Sequence, residues 1–240
     1  MLALTTLEPE DYVREVLPHS QSLWAGRRTF DEYVDEFRAA AGSGWGQRRF
    51  RTLGLHVDGE LVASCKRYER VLRCGEREYL AAGIGAVFTP EPLRGRGYAT
   101  ALLGAFLDAE RAAGTDLAYL FSDIGTEFYA RLGFAALPSR TITLRADALS
   151  SDRVAIATLN ATDLTATRRL FTTLEARRPF AFKRTPLDWE WQALRAASRE
   201  HDAPLLLGVR RGRSLAAYVS GRRVPAADAF VLDELAYASD

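Results

Sequence analysis

Lysine is almost missing from this chain. Of 32 basic residues in 240, only Lys66 and Lys183 are lysines, and there are just two cysteines, three histidines and one methionine. Basic and acidic residues balance to a net charge of +1, so no global positive field recruits nucleic acid or an anionic membrane. Long apolar runs are also lacking. The longest stretch of apolar residues and glycine, residues 80–88, has about half the length a membrane helix needs. The opening MLALTTLEPEDY has neither a basic segment nor an apolar stretch of signal-peptide type, and the expected location is the cytoplasm. Cys65 and Cys74 lie an odd number of residues apart in one extended run and so face opposite sides. Neither a structural disulfide nor a zinc site is expected from them, and no metal is implied. His19, His56 and His201 show no ligand spacing.

What remains is the composition of an ordinary globular protein with a packed core. LALTTL reads as a short strand. Two amphipathic helices follow, over residues 9–22 and 29–41, with Trp24 in the turn between them. Strands are expected over 51–57, 60–71 and 78–89, separated by Asp58-Gly59 and Gly75. A helix runs from about Gly97 to Ala113, LAYLFS is a strand, residues 126–132 form a short helix, and residues 134–144 return as strands.

The second part of the chain weakly repeats the first. LGLHVDGELVASCKRY followed by YLAAGIGAVF is echoed by LLGVRRGRSLAAYVSGRR followed by FVLDELAYAS, and each copy is preceded by two helix-patterned segments. The expected domains are 1–148 and 149–240, the second lacking the glycine-rich loop because it stops at Asp240. Either it is a natural half-domain or the chain continues in a longer parent. An exposed apolar edge on such a unit would favour self-association.

The strongest chemical signal is VFTPEPLRGRGYATALLGAFL, a strand, a proline turn, a basic glycine loop and a helix. Gly95 and Gly97 allow a tight turn, successive amides from Gly95 to Thr100 face one concavity, and the helix dipole favours an anion. A pyrophosphate fits this loop. A bulge near residues 83–86, supported by Gly83 and Gly85, would present unpaired amides and carbonyls to an extended, amide-containing ligand. A P-loop and a dinucleotide-binding turn are excluded: no Lys-Ser/Thr follows the glycines and no Gly-x-Gly-x-x-Gly opens the helix.

Arg94, Gly97 and Ala99, followed by LAYLFSDIGTEFYARLGF with Tyr129, Gly133 and Phe134, resemble the two ordered motifs of the GNAT superfamily of N-acetyltransferases. The likeness spans residues 2–145. It looks closest to the yeast-type lysine acetyltransferases, and the tandem layout resembles the Eis acetyltransferases. The resemblance implies an α+β fold with a mixed sheet flanked by helices, and a second, incomplete GNAT-like unit. It also implies acetyl-CoA as cosubstrate, held by Ala86, Val87, Phe88, Arg94, Gly95, Arg96, Gly97, Tyr98, Ala99 and Thr100.

The implied reaction is direct attack of a neutral primary amine on the thioester, with an amide at Ala86 or Val87 polarising the carbonyl and Tyr129 protonating the leaving thiolate. The base is less plain. Gly83 stands where many relatives carry a glutamate, leaving Asp123 as the candidate, with Glu78 acting through water as another. Eis proteins use a carboxylate from the chain's end. For the acceptor the family points to the region of the first helices, where Trp24 and Tyr33, with nearby Asp35 and Glu36, would suit a cationic amine such as free lysine. The alternative class is a non-catalytic acyl-CoA-binding or assembly module, favoured by Gly83 and by the incomplete second unit.

Overall fold

The computed structural model describes residues 2–138, 141–145, 147, 154–197, 204–224 and 227–238. It divides into two compact units. The first comprises Met1–Ala136 together with Phe182–Arg195; the second comprises Leu137–Ala181 and Ala196–Asp240.

In the first unit β1 (Leu2–Leu7), β2 (Phe50–Val57), β3 (Glu60–Cys74) and β4 (Arg77–Phe88) form an antiparallel run, and β5 (Leu117–Leu120) joins β4 in parallel. Helices α1 (Pro9–Glu15), α2 (Leu17–Trp24), α3 (Phe30–Gly42) and α4 (Gly44–Arg49) lie between β1 and β2. The single helix expected over residues 9–22 is two. Val16 ends α1, and Pro18 in the first turn of α2 gives no backbone donor to continue the first helix. Thr29 starts α3 with a capping box, its hydroxyl accepting from the Glu32 amide and the Glu32 carboxylate from the Thr29 amide.

Alternation along β3 and β4 sends side chains to two cores. On one face Cys65, Ala82 and Ile84 meet Leu102, Leu103 and Phe106 of α5 (Tyr98–Ala112). On the other, Tyr12, Val16, Tyr33, Phe37, Trp45, Phe50 and Phe88 pack together with Tyr68. On the α5 face Arg67 bonds both Glu110 oxygens at 2.6 and 3.0 Å, and Thr115 donates to the same carboxylate at 2.6 Å. Burial pushes Glu110 up, but these donors outweigh it and leave its pKa lowered. Cys65 is buried and Cys74 exposed, and both are free thiols.

The chain returns to this unit late in the sequence. Through β7 (Phe180–Phe182), which pairs with β3, it leads into α8 (Pro186–Ala197), whose Trp191 stacks on Trp45 at 4.3 Å with the rings 4° from parallel. Lys183 reaches Glu78 at 2.6 Å.

In the second unit β6 (Ile156–Thr158), β8 (Leu205–Arg211), β9 (Ser214–Val224) and β10 (Ala229–Tyr237) form an antiparallel sheet in the order β10-β9-β8-β6, with α7 (Leu164–Glu175) between β6 and β8 in the chain. That connectivity repeats β4-β3-β2-β1. Even the register shifts match: one breaks β2–β3 at Leu55/His56 and β8–β9 at Val209/Arg210, another breaks β3–β4 and β9–β10. The strands expected over 134–144 are not formed among the described residues, and Leu137 and Ile142 remain exposed.

Helix α4 was not among the expected elements. Ser43 caps it by accepting the Gly46 amide at 2.9 Å. Gly46 itself permits the approach of α3, since a Cβ there would lie 2.0 Å from the Ala40 carbonyl oxygen. Gly46→Ala is expected to destabilise the first unit by about 1–3 kcal/mol, measured by urea unfolding; unchanged stability would show that α3 and α4 can part at no cost.

Candidate acyl-transfer site

The parallel pairing of β4 with β5 stops early. It joins Ala81–Ile84 to Leu117–Leu120, after which β4 runs on through Phe88 beside β3 alone. Opposite that free stretch β3 pairs Lys66 with Gly85 and Ser64 with Phe88, so Ala86 and Val87 face the single residue Cys65. This is a β-bulge, and it lies over residues 85–88. Ala86 adopts φ 48°, a left-handed conformation that costs an alanine roughly 1–2 kcal/mol. The backbone edge of Gly85–Phe88 facing away from β3 has no β5 partner.

The strand leads straight to the start of α5. A 3-10 turn at Glu91–Leu93 follows Pro90, and Gly95 and Gly97 take φ 76° and 83°. Gly97 is the N-cap of α5 and brings no side chain to it, so the first-turn amides of Tyr98, Ala99 and Thr100 have no capping group. Arg94 donates from Nε to the Thr89 carbonyl at 3.2 Å, and Arg94 and Arg96 are exposed at the loop.

Tyr129 sits on α6 (Glu127–Ala130), just after β5. Its ring lies edge-on to Phe128 at 5.0 Å and to Phe134 at 6.0 Å, and Gly133 closes the turn at φ 88°. Asp123 is exposed on the bend between β5 and α6. It does not cap α6, whose N-cap is Thr126 without a side-chain bond. Trp24 meets Phe88, the last bulge residue, edge-to-face at 6.1 Å, which brings the end of α2 against the end of β4. Tyr33 is buried deeper on the same face. Glu78 lies at the opposite end of β4, eight residues or about 26 Å from Ala86, and is paired with Lys183. It cannot serve the bulge.

Of the expected acceptor residues, Tyr33 already faces one of the chain's own cations, and Tyr12 and Phe37 of the same core face another. The Arg28 guanidinium lies 5.3 Å above the Tyr33 ring, and Lys66 Nζ stands 5.5 Å from the Tyr12 ring and 5.3 Å from that of Phe37. Of the carboxylates nearby, Glu36 pairs with Arg28 and Asp35 is exposed. Burial, with the Arg28 charge beside it, pushes the Lys66 ammonium down to about 8. Between α1, α2 and the start of β3 opens a groove of about 410 Å³, lined in part by Val16, His19, Glu60, Ser64, Phe88 and Pro90.

A family model for the acetyltransferase (GNAT) domain matches residues 7–137. The chain belongs to the GNAT acetyltransferase family. A curated relative, the lysine acetyltransferase of Yarrowia lipolytica, is 27% identical over 159 residues, covering 55% of this chain and 40% of that protein. A probable N-acyltransferase from Enterococcus faecalis V583 superposes over all of this chain and 59% of its own, at a TM-score of 0.76 and 17% identity. Eis1 from Mycobacterium abscessus does so over all of this chain and 60% of its own, at 0.60 and 19%. The chain thus spans less than two thirds of each of these relatives.

For a GNAT domain the residue at Gly83 is telling. A Cβ there would lie 2.7 Å from Tyr119 Oη, so the Tyr119 phenol occupies the space a glutamate side chain at this position would enter. Sequence reading missed Tyr119, although its place directly opposite Gly83 in the register follows from pairing LAYL with the strand before the glycine loop. It also passed over Lys66, whose signal was its rarity on an alternating strand.

Lys66 carries a stability consequence. Its folded pKa, about 8, lies below the 10.5 of a free lysine, so between those values only the unfolded chain holds the proton, and stability rises with pH across that window. Lys66→Met is therefore expected to stabilise the protein near pH 7 by up to about 3 kcal/mol, an advantage that shrinks toward about pH 10. Urea unfolding at both values checks this, and an advantage that grows with pH would contradict it.

Proposed function

We propose that the chain is an acetyl-CoA-dependent N-acetyltransferase acting on a primary amine of a small molecule, with free lysine the leading acceptor. The observation that carries this reading is the Ala86 bulge opening beside the end of β5, immediately before the uncapped start of α5. A pantetheine arm can lie along the unpaired edge of Gly85–Phe88, and its pyrophosphate can take the amides from Gly95 to Thr100 with Arg94 and Arg96 at hand. The carbonyl of the thioester then lies against an amide of Ala86 or Val87, which stabilises the negative charge on oxygen as the amine attacks. Carbon–nitrogen bond formation expels the thiolate, to which Tyr129 gives its proton. Asp123, exposed and not engaged in capping, is the proposed acceptor of the amine's proton. The name of the Yarrowia relative supports lysine as acceptor.

Within this reading the protein works in the cytoplasm; no helix among the described residues is long and apolar enough to cross a membrane. Residues 149–240 are a degenerate copy of 1–148, supported by the repeated strand order. The exposed Leu232, Leu235 and Tyr237 of the edge strand β10 support self-association through that copy. One observation favours the non-catalytic acyl-CoA-binding alternative, the Tyr119 phenol filling the place of a carboxylate at Gly83.

Thiol release from acetyl-CoA across amino acids, polyamines, aminoglycosides and peptides, beside calorimetric titration of CoA, separates the two. Turnover with one amine supports the enzyme, CoA binding without turnover supports the module, and no CoA binding overturns both. Tyr129→Phe is expected to lower kcat about 100-fold or more while CoA affinity stays unchanged; an unaltered kcat removes Tyr129 from the mechanism. Gly97→Ala, strained at φ 83°, is expected to weaken CoA binding in the same titration.

A further inference from the structure

The face of the sheet that carries Lys66 holds a charge the protein does not neutralise. Arg28 is fully engaged: it pairs with Glu36 and donates to the carbonyls of Ala25 and Trp24 at 2.7 and 2.6 Å. Lys66 has only the two aromatic faces, and among the described residues no carboxylate pairs with it. Two cations against the single Glu36 carboxylate leave one positive charge in excess. Beside it are orphaned donors. Tyr12 is fully buried and its hydroxyl has no hydrogen-bond partner; the Tyr33 hydroxyl, 5% exposed as a residue, has only Ser20 beside it. Burial, followed for Tyr12 by the neighbouring Tyr33 and Tyr68 phenols, pushes both tyrosines up, so both keep their protons.

Lys66, Tyr12 and Tyr33 do not line the groove themselves, but their chain neighbours do. Ser64, two residues before Lys66 on the same face of β3, lines the groove with a buried hydroxyl that also lacks a partner. Val16, whose amide bonds the Tyr12 carbonyl at 3.0 Å, lines it from the helix side. Lys66 is paired with Gly85, the residue at which the bulge begins. Of the charged side chains lining the groove, Arg14 is bonded to Glu15 at 2.7 Å, which leaves the exposed Glu60 carboxylate in the lining and the Lys66 cation within.

Resting on the N-acetyltransferase reading, we propose that Lys66, with the hydroxyls of Tyr12 and Tyr33, receives a carboxylate of the acceptor. The acceptor is then an amine that is also an acid, an amino acid in place of a polyamine or an aminoglycoside. One excess charge and two neutral donors match a monoanion; a phosphate dianion would remain half compensated. A bound carboxylate restores to Lys66 the counterion that burial withheld, and the groove of about 410 Å³ has room for a molecule of this size. The groups set against Lys66 are the Tyr12 and Phe37 rings and the Arg28 charge, and none of them supplies that counterion.

The test is calorimetric titration of matched pairs, free lysine against cadaverine and tyrosine against tyramine, into the wild-type chain, Lys66→Met and Tyr12→Phe, with CoA titrated into each. At least one amino acid is expected to bind about tenfold or more tightly than its decarboxylated partner. That preference is expected to vanish in Lys66→Met and to fall in Tyr12→Phe, with CoA affinity retained in both. Decarboxylated amines binding as well as the acids, a preference that survives Lys66→Met, or no binding by any of the four overturns the proposal. Failure of the wild-type chain to bind CoA overturns the acetyltransferase reading separately.

Discussion

The site depends on one interruption of backbone pairing. Had β5 continued beside β4 past Ile84, the amides and carbonyls of Gly85–Phe88 would be spent on the sheet, and no unpaired edge would face a ligand. The bulge at Ala86 turns that edge, and it persists although an alanine at φ 48° is strained by roughly 1–2 kcal/mol. The packing around it over-determines the conformation. Phe88 is buried at the bulge's end against Trp24, and Ile84 at its start is buried among Leu102, Leu103 and Phe106. With both ends anchored on opposite faces of the strand, the extra residue has nowhere to slip.

The two faces of the sheet treat charge differently. On the α5 face Arg67, Glu110 and Thr115 satisfy one another, an arrangement in which a buried ion pair adds rigidity with every donor used. On the helical face Lys66 leans on aromatic rings, and burial, followed by the Arg28 charge, depresses its pKa. Removing a cation from water without a counterion costs more than two ring faces return. A residue so placed by a sequence that otherwise avoids lysine calls for a function, and its pairing with the first residue of the bulge puts that function beside the proposed acyl-transfer edge.

Much of this was legible from residue patterns. The strand, the glycine loop and the helix after it were announced because each has a strong local cause: positive φ, proline in the turn, apolar spacing at helical period. Trp24 was assigned to the acceptor region, and it stands against Phe88 at the end of β4. What escaped the sequence depends on side chains meeting across strands. Tyr119 filling the space over Gly83 requires the β4–β5 register, and Lys66 occupying the Tyr12 and Phe37 faces requires α1 and α3 to lie on β3. Glu78 looked available until its position along β4 set it about 26 Å from the bulge. Helix α4 was hidden because Gly46 disfavours a helix locally and its reason for being there, the close approach of α3, appears only in the packing.

The repeat gives the least obvious constraint. The second copy of the strand pattern begins well after the glycine loop, so the halves look separable near residue 148. Yet Lys183 donates its amide to Val71 on β3, and Trp191 lies flat on Trp45, a residue only 1% exposed and in the middle of the aromatic core. Glu190 accepts the Gly44 amide at 3.2 Å, at the start of the same helix that carries Trp45. Phe182 packs on Tyr119 at 4.5 Å, the phenol that stands over Gly83. A segment written in the second repeat thus completes the first unit's core on the face where the acceptor is proposed to bind. The order of Tyr119, and through it the shape of the space above Gly83, follows from residues more than sixty positions downstream.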